Sequence, residues 1–550
     1  MIFMQQKELS FDLSLIQSYF PHESFREGQK ECIEKALGAF ESGKKFVMLE
    51  APTGAGKSAI GLTIARFFGS AYYLTVQKIL QSQIIKDFGS DNVVDLKGRN
   101  AYECNYWDNR NEWIKNGDPL PDTDTKLYPK PNKPIGCDVG VCKVRDDKSK
   151  LAICFNSNGK ALCPYWGQVA KAQTSHLAIM NFKSFLFQTT FTDNFGERSI
   201  LILDECHRAE PELLDFISIS IMDMAFSPLR WPMLDSASDY AEFIRESNLL
   251  DTVEQKERYA RYAGQSKEAD EWASLKFKLN LFLAADSTHW VSMCKEIKDG
   301  RARILELKPI FLEKYAYEYL FSKADYVLMM SATILSADEM RSMLSIDKSE
   351  CFAYKMKNRF PKKNRPIVVQ DVGSMSYNKK AETHPKLVDK VTEICKRHVN
   401  HKGIIHTHNF EITKWLLNEC PMETSKRFLF QEDFASKDEM LAKHAASANT
   451  IIVAPAMHEG LDLKGDLSRF QIIAKVPYPS LGDNPQLKAR MEKSPNYYNW
   501  LTALKIVQSY GRSIRSENDW AITYVLDSDF NMFCKRASNM LPEWFTEAIQ

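Results

Sequence analysis

An apolar run, FVMLE at Phe46–Glu50, passes directly into APTGAGKS at Ala51–Ser58 and then into SAIGLTIARFF, whose apolar residues recur at helical spacing. A buried strand, a glycine-rich turn and a helix in that order leave few architectures open: the strand belongs to an α/β layer and the turn is a phosphate loop. Gly54 and Gly56 let backbone N–H groups approach phosphate oxygens, and the following helix directs its positive end at them. Lys57 reaches the terminal phosphates and Ser58 offers a hydroxyl to Mg²⁺, with Thr53 and Ala55 completing the loop. The one departure is Ala51, which stands where the first glycine is usual. ATP with Mg²⁺ is the expected ligand.

The run SILIL is followed by Asp204-Glu205-Cys206-His207. Mg²⁺ takes hard oxygen ligands, so Asp204 at a strand end is placed to hold it, and Glu205 beside it can orient and deprotonate a water. An Asp-Glu pair alone would be a solvated turn; behind a buried strand, in a chain that already has a phosphate loop, it reads as catalytic. AYYLTVQ and DYVLMMSAT are further apolar runs ending in polar residues, as parallel strands do where functional loops leave them. After Ser331 a second series appears: RPIVVQDV, KGIIHTHNF, NTIIVAPAMHEG, FQIIAKVPYP and WAITYVLDSD. It predicts a second lobe of the same class. Near the C-terminus, QSYGRSIRS places Gln508, Arg512 and Arg515 on one expected helix, where the two arginines, three apart, share a face and can reach a γ-phosphate held by the other lobe. An exposed basic turn is the plainer reading of that segment taken alone.

Between these lobes the composition shifts twice. From Asn100 to Trp166, Pro, Lys, Asp, Asn and Cys dominate, and Cys104, Cys137, Cys142, Cys154 and Cys163 fall together. From about Pro211 to Ser287 the pattern is helical with mixed charge. The expected organisation is a first lobe at 1–100 with 165–210 and 288–335, a cysteine-bearing insertion at 101–164, a helical insertion at 211–287 and a second lobe at 336–550.

With 44% hydrophobic and 26% charged residues in 550, the chain has apolar material for several cores, and disorder does not dominate it. The formal net charge of +1 means that nucleic acid would be met by local basic surfaces, not by an overall field. KMKNRFPKKNR from Lys355 and KVRDDKSK from Lys143 are candidates, though solvated faces fit them equally. The N-terminus lacks a secretion signal and no window of ~18 apolar residues occurs, so we expect a soluble intracellular protein with no membrane partner and mostly reduced thiols.

These motifs resemble those of superfamily 2 helicases of the iron–sulfur-containing XPD/DinG-like branch, whose DEAH-type box would be Asp204–His207 here. The resemblance covers almost the whole chain. FREGQ, with Phe25, Arg26 and Gln29, resembles the adenine-side motif, and TVQKILQSQ from Thr75 resembles a DNA-backbone motif. SAT at Ser331–Thr333 resembles the segment coupling hydrolysis to lobe movement, and HEGLDLKG, with Glu459, Gly460 and Asp462, one that contacts nucleotide and DNA. KGRNAYEC ending at Cys104 and CPYW beginning at Cys163 look like the flanks of the first and last ligands of a [4Fe–4S] cluster. The middle ligands would be Cys137 and Cys142, with Cys154 as the alternative. A structural zinc or plain buried thiols are the rival readings. His406 and His408 alternate along a strand with no carboxylate or Cys cluster near them in sequence, so we read no metal site there; Thr407, His408 and Asn409 are weak candidates for DNA contact.

The resemblance thus implies two RecA-like P-loop lobes, the first carrying an Fe–S insertion and an arch-like helical insertion. It implies an ATP-dependent helicase, a monomeric motor that moves 5′ to 3′ on single-stranded DNA and meets single/double-strand junctions. A translocase or remodelling ATPase without unwinding, and an RNA helicase, are the alternatives.

Overall fold

The computed structural model describes residues 9–76, 84–86, 92–117, 133–139, 163–192, 195–263, 265–297, 300–358, 360–455, 463–482, 484–514 and 518–550. Two parallel sheets carry the architecture. The first draws strands from distant parts of the chain: β1 (Phe46–Glu50), β2 (Ala71–Thr75), β3 (Val93–Leu96), β4 (Leu177–Asn181), β5 (Arg198–Asp204), β9 (Ala324–Ser331) and β10 (Cys351–Lys355), in the order β10-β1-β9-β5-β2-β4-β3. Every residue of β1 and β2 is buried, because helices cover both faces; this is why the strands read as unbroken apolar runs. Helices α1 (Gln29–Glu41) and α2 (Lys57–Phe68) pack Ile33, Leu37, Ile60 and Ile64 on one face.

The second sheet is also wholly parallel. It comprises β11 (Ile367–Gly373), β12 (Gly403–His406), β13 (Phe428–Phe430), β14 (Ile451–Ala454), β15 (Phe470–Ile473) and β16 (Ile522–Asp527), ordered β11-β16-β15-β12-β14-β13. An α/β protein of two parallel-sheet lobes is therefore what the strand runs predicted.

A third, antiparallel sheet, β6-β8-β7, is built from β6 (Ile219–Met222), β7 (Trp290–Ile297) and β8 (Ala302–Pro309). It brackets the helices α5 (Ala237–Glu246), α6 (Leu249–Tyr262) and α7 (Ser266–Ala284), so the helical insertion is closed at its base by strands. Two details depart from the sequence reading. The residues at 290–309 form this separate sheet rather than strands of the first lobe. In addition, β10, which the reading assigned beyond the first lobe, is that lobe's edge strand; its half-exposed residues gave no apolar run to notice.

The lobes meet through the helices α8 (Pro485–Lys493) and α9 (Pro495–Tyr510) of the second and the helix α4 (Ala209–Ile217) of the first. One apolar cluster runs across the joint, from Ile334, Leu335 and Met340 to Trp500, Ala503 and Leu504. Among the described residues no helix is long and apolar enough to cross a membrane.

Candidate nucleotide site and cysteine centre

The phosphate loop leaves the end of β1 and enters α2 at Lys57. Gly54 and Gly56 have φ of 82° and 79°, a left-handed backbone that a side chain would strain. At Gly56 the space is also taken, since a Cβ there would lie 2.3 Å from Nε2 of Gln29. That amide donates to the Ala55 carbonyl at 2.8 Å, while its oxygen accepts the Arg26 N–H at 2.7 Å, and the Arg26 guanidinium donates to the Gly54 carbonyl. Arg26 and Gln29 thus lie directly on the loop. Phe25 packs on Phe20 with ring centroids 4.2 Å apart.

Asp204 ends β5, as the apolar run implied, and lies beside Ser58 through a residue that the sequence reading missed. The Tyr73 hydroxyl, buried in β2, donates to Asp204 Oδ2 at 3.1 Å and also hydrogen-bonds Ser58. The two expected Mg²⁺ ligands thus share one neighbour. Burial, and then the charge of Glu205, push the Asp204 carboxyl up to about 6, against the pull of Lys57. Two oxygen donors around a carboxyl that water no longer stabilises fit a hard dication, which would restore its ionised form.

Glu205 has a left-handed backbone, φ 55° and ψ 50°, costly for a residue with a Cβ and maintained by its surroundings. Burial opposes its ionisation, but Lys57, His207 and Arg512 outweigh that and hold its pKa below the usual value. Lys57 Nζ stands 3.6 Å from Oε1. Arg512 of the second lobe therefore already exerts its charge on the expected base.

A chain of hydrogen bonds joins the lobes here. Gln508 Nε2 lies 2.9 Å from His207 Nε2, His207 Nδ1 lies 2.9 Å from Ser331 Oγ, and the Ser331 hydroxyl donates to Glu205 at 3.3 Å. The Gln508 amide and the Ser331 hydroxyl thus hold the two nitrogens of the His207 ring. The Thr333 N–H also donates to Ser331 Oγ, at 3.0 Å. SAT, the DECH segment and Gln508 thus form one network. Glu50 contributes unnoticed by the sequence reading: it accepts the Leu335 N–H at 2.7 Å and holds the turn after SAT.

Two sequence expectations change. Helix α9 ends at Tyr510 and Gly511 caps it, so Arg512 lies past the helix end rather than within it. Asn409 caps the helix at Phe410–Glu419 with its side-chain oxygen, and Thr407 is fully buried against Thr413, so both have local structural partners. Arg515, Glu459, Gly460, Asp462, Cys142 and Cys154 lie outside the described residues, as do 143–150 and most of TVQKILQSQ.

Cys104, Cys137 and Cys163 are all buried. A short antiparallel bridge aligns the first two: the Cys104 N–H donates to Ile135 and the Cys137 N–H to Tyr102, each at 2.8 Å. Cys163 stands immediately before the helix α3 (Pro164–Thr174), whose first residue is proline. Hydrogen bonding with the Cys104 and Cys163 thiols, and then burial, push the Cys137 thiol up, so the three sulfurs are neighbours. Among the described residues no group of three or more His, Cys, Asp or Glu is arranged to hold a metal ion. Arg99 donates to the Cys137 carbonyl at 3.1 Å and pairs with Asp270 of α7 at 3.2 Å, tying this centre to the helical insertion.

Comparison with known proteins follows the same two halves. The family described as "Helicase C-terminal domain" matches residues 391–548, and that described as "Type III restriction enzyme, res subunit" matches 22–221. The ATP-dependent DNA helicase CHL1 of Candida albicans is 33% identical over 115 residues, covering 18% of this chain and 13% of CHL1. The chain thus spans a small part of that relative. The ATP-dependent DNA helicase YoaA of Escherichia coli is 22% identical over 92% of this chain and 91% of its own. A solved XPD helicase structure superposes with a TM-score of 0.62 over 94% of this chain and 98% of that one; at 15% identity the likeness is one of fold.

Proposed function

We propose that this chain, which belongs with the XPD/DinG-like superfamily 2 helicases, is an ATP-dependent DNA helicase that moves on single-stranded DNA and separates duplexes. The observation that carries this reading is the hydrogen-bonded path from Glu205 through Ser331 and His207 to Gln508, because it links the hydrolytic carboxylate to the opposite lobe.

ATP would bind with its phosphates on Thr53–Ser58 and Lys57 at their terminal oxygens, drawing Lys57 away from Glu205. Ser58 and Asp204 would hold Mg²⁺, which supplies charge neutralisation on the phosphates. Glu205, freed and ionised, accepts a proton from the attacking water, and Arg512, with Arg515, adds positive charge from the second lobe. Loss of the γ-phosphate then removes what both lobes grip, and the His207–Gln508 contact passes that change across the joint. Glu459, Gly460 and Asp462 belong to the same interface on this reading, and Phe25 to the adenine side.

Cys104, Cys137 and Cys163, with Cys142 or Cys154 as the fourth, would hold a [4Fe–4S] cluster, which supplies a rigid cross-link to a segment poor in apolar residues. The three gathered thiols support that. With the helical insertion tied to it by Arg99, this region is suited to a wedge that admits one strand of DNA at a junction. Movement 5′ to 3′ and a monomeric motor complete the reading.

The test is ATP hydrolysis and strand displacement by anaerobically purified protein, with iron and zinc analysis. Hydrolysis stimulated by single-stranded DNA, with separation of a duplex bearing a 5′ tail, is expected. Stimulation by RNA alone would make this an RNA helicase, and hydrolysis with protein clearance but no strand separation would make it a remodelling translocase. One zinc and no iron would overturn the cluster assignment and leave the motor.

A further inference from the structure

Away from the phosphate loop, the lobes share a second contact that involves none of the groups assigned to ATP. Glu210 on α4 and Arg490 on α8 form an ion pair whose side chains are only 3% and 2% exposed. The Tyr497 hydroxyl, at the start of α9, donates to the Glu210 carboxylate at 3.2 Å, and the Arg490 guanidinium lies 3.8 Å over the Tyr497 ring. One turn before Arg490, Gln486 donates to the Ile310 carbonyl at 3.2 Å. One turn beyond Tyr497, the Trp500 indole N–H donates to the Ile334 carbonyl at 3.0 Å.

A fully buried ion pair is a weak source of net stability, because removing both charges from water cancels much of their attraction; apolar groups of similar volume hold a joint as well. Charges do fix geometry, however: a planar guanidinium between a carboxylate and an aromatic ring has one way to sit. The partners are also telling. Glu210 follows closely on Glu205 and His207, and Tyr497 lies on the helix that carries Gln508. Helix α9 therefore touches the same segment of the first lobe twice, at Glu210 near its start and at His207 near its end, with the contacts about 16 Å apart along its axis. The contact at His207 is a single hydrogen bond, whereas that at Glu210 is ionic and dry, so breaking it leaves a charge stranded.

We propose that Glu210, Arg490 and Tyr497 are positioning residues for ATP hydrolysis: they pin the first turn of α9 to the first lobe, so that Gln508 and Arg512 approach Glu205 about a fixed point. The inference rests on the reading of the chain as an ATP-driven motor. It makes lobe closure a pivot about this anchor instead of a free docking of two bodies, and places the moving end of the helix at the nucleotide.

Steady-state ATP hydrolysis by the full chain, saturated with single-stranded DNA, tests this. Arg490→Met is expected to lower kcat about tenfold or more while KM for ATP changes less than about threefold, because the first lobe's grip on ATP is intact. In an Arg512→Ala background the same change should cost clearly less than it does alone, since positioning a helix end matters only through the groups it delivers and Gln508 is then the one left. A folded Arg490→Met protein with kcat near that of the parent, or a loss that multiplies in full with Arg512→Ala, overturns the proposal. Should Arg490→Met fail to fold, Tyr497→Phe, which removes only the hydroxyl, is expected to lower kcat severalfold at unchanged KM; an unchanged kcat there overturns it equally. Hydrolysis by the parent matched by its variants counts against the anchor alone, whereas a parent that hydrolyses no ATP with DNA or RNA removes the motor reading and the anchor with it.

Discussion

Glu205 stands in a backbone conformation that suits glycine, with Lys57, His207 and Arg512 keeping its carboxylate charged. A base held ready in this way has one indispensable atom set, so Glu205→Gln is expected to lower kcat by about 10²–10⁴-fold while ATP binding persists, measured by hydrolysis and by fluorescent-nucleotide titration. Gly56 tests the other side of the site. A methyl group there meets a left-handed φ and the Gln29 amide together, so Gly56→Ala should weaken ATP binding by about tenfold or more at a strain cost of roughly 1–2 kcal/mol. At this scale the chemistry was legible where it is local: Lys57, Ser58, Asp204 and Glu205 follow from short runs whose spacing encodes the loop. Tyr73 was not, because a tyrosine inside an apolar strand looks like packing until its hydroxyl is seen between Ser58 and Asp204.

Among the elements, the second lobe offers a pH test. His398 ends the helix at Lys380–Arg397, stacks on Phe470 with centroids 4.5 Å apart and lies 3.0 Å from the Tyr524 hydroxyl. Burial, and then the neighbouring His401, Arg397 and Arg427, lower its pKa to about 4. In the unfolded chain it takes a proton near 6.5, so its neutral form contributes stability above that pH, and this is lost progressively as pH falls from 6.5 towards 4. The loss by pH 5 amounts to about 2 kcal/mol. Thermal melts at pH 7 and pH 5 should show it, and His398→Phe, which keeps the stack, should flatten the difference. Strands of the two parallel sheets were visible as apolar runs because both their faces are covered. Strand β10 was not, being a half-exposed edge, and nothing in the sequence pairs Glu210 with Arg490, since ion pairs between distant segments leave no periodic trace.

For the whole molecule, the joint is the working part. Labels on the two sheets should approach on adding ATP to Glu205→Gln protein and stay apart in Arg512→Ala, as read by energy transfer; equal approach in both would mean that closure does not depend on the arginine. The lobes were readable as a repeated α/β pattern, whereas their shared core around Trp500 was not, because helix α9 is apolar in a way that any buried helix would be.

The order of strands in the first sheet also bears on synthesis. The strand that delivers the phosphate loop, β1, has as its two neighbours β9 and β10, which are not made until residues 324–331 and 351–355. A nascent chain that has emerged only as far as the helical insertion therefore holds β1 without either partner, its backbone groups unpaired and its apolar side chains open to misassociation. Binding of nucleotide, which needs that strand seated, becomes available only once residue 355 has been made, so a chain truncated before that point should behave as a client for chaperones rather than as a small ATPase.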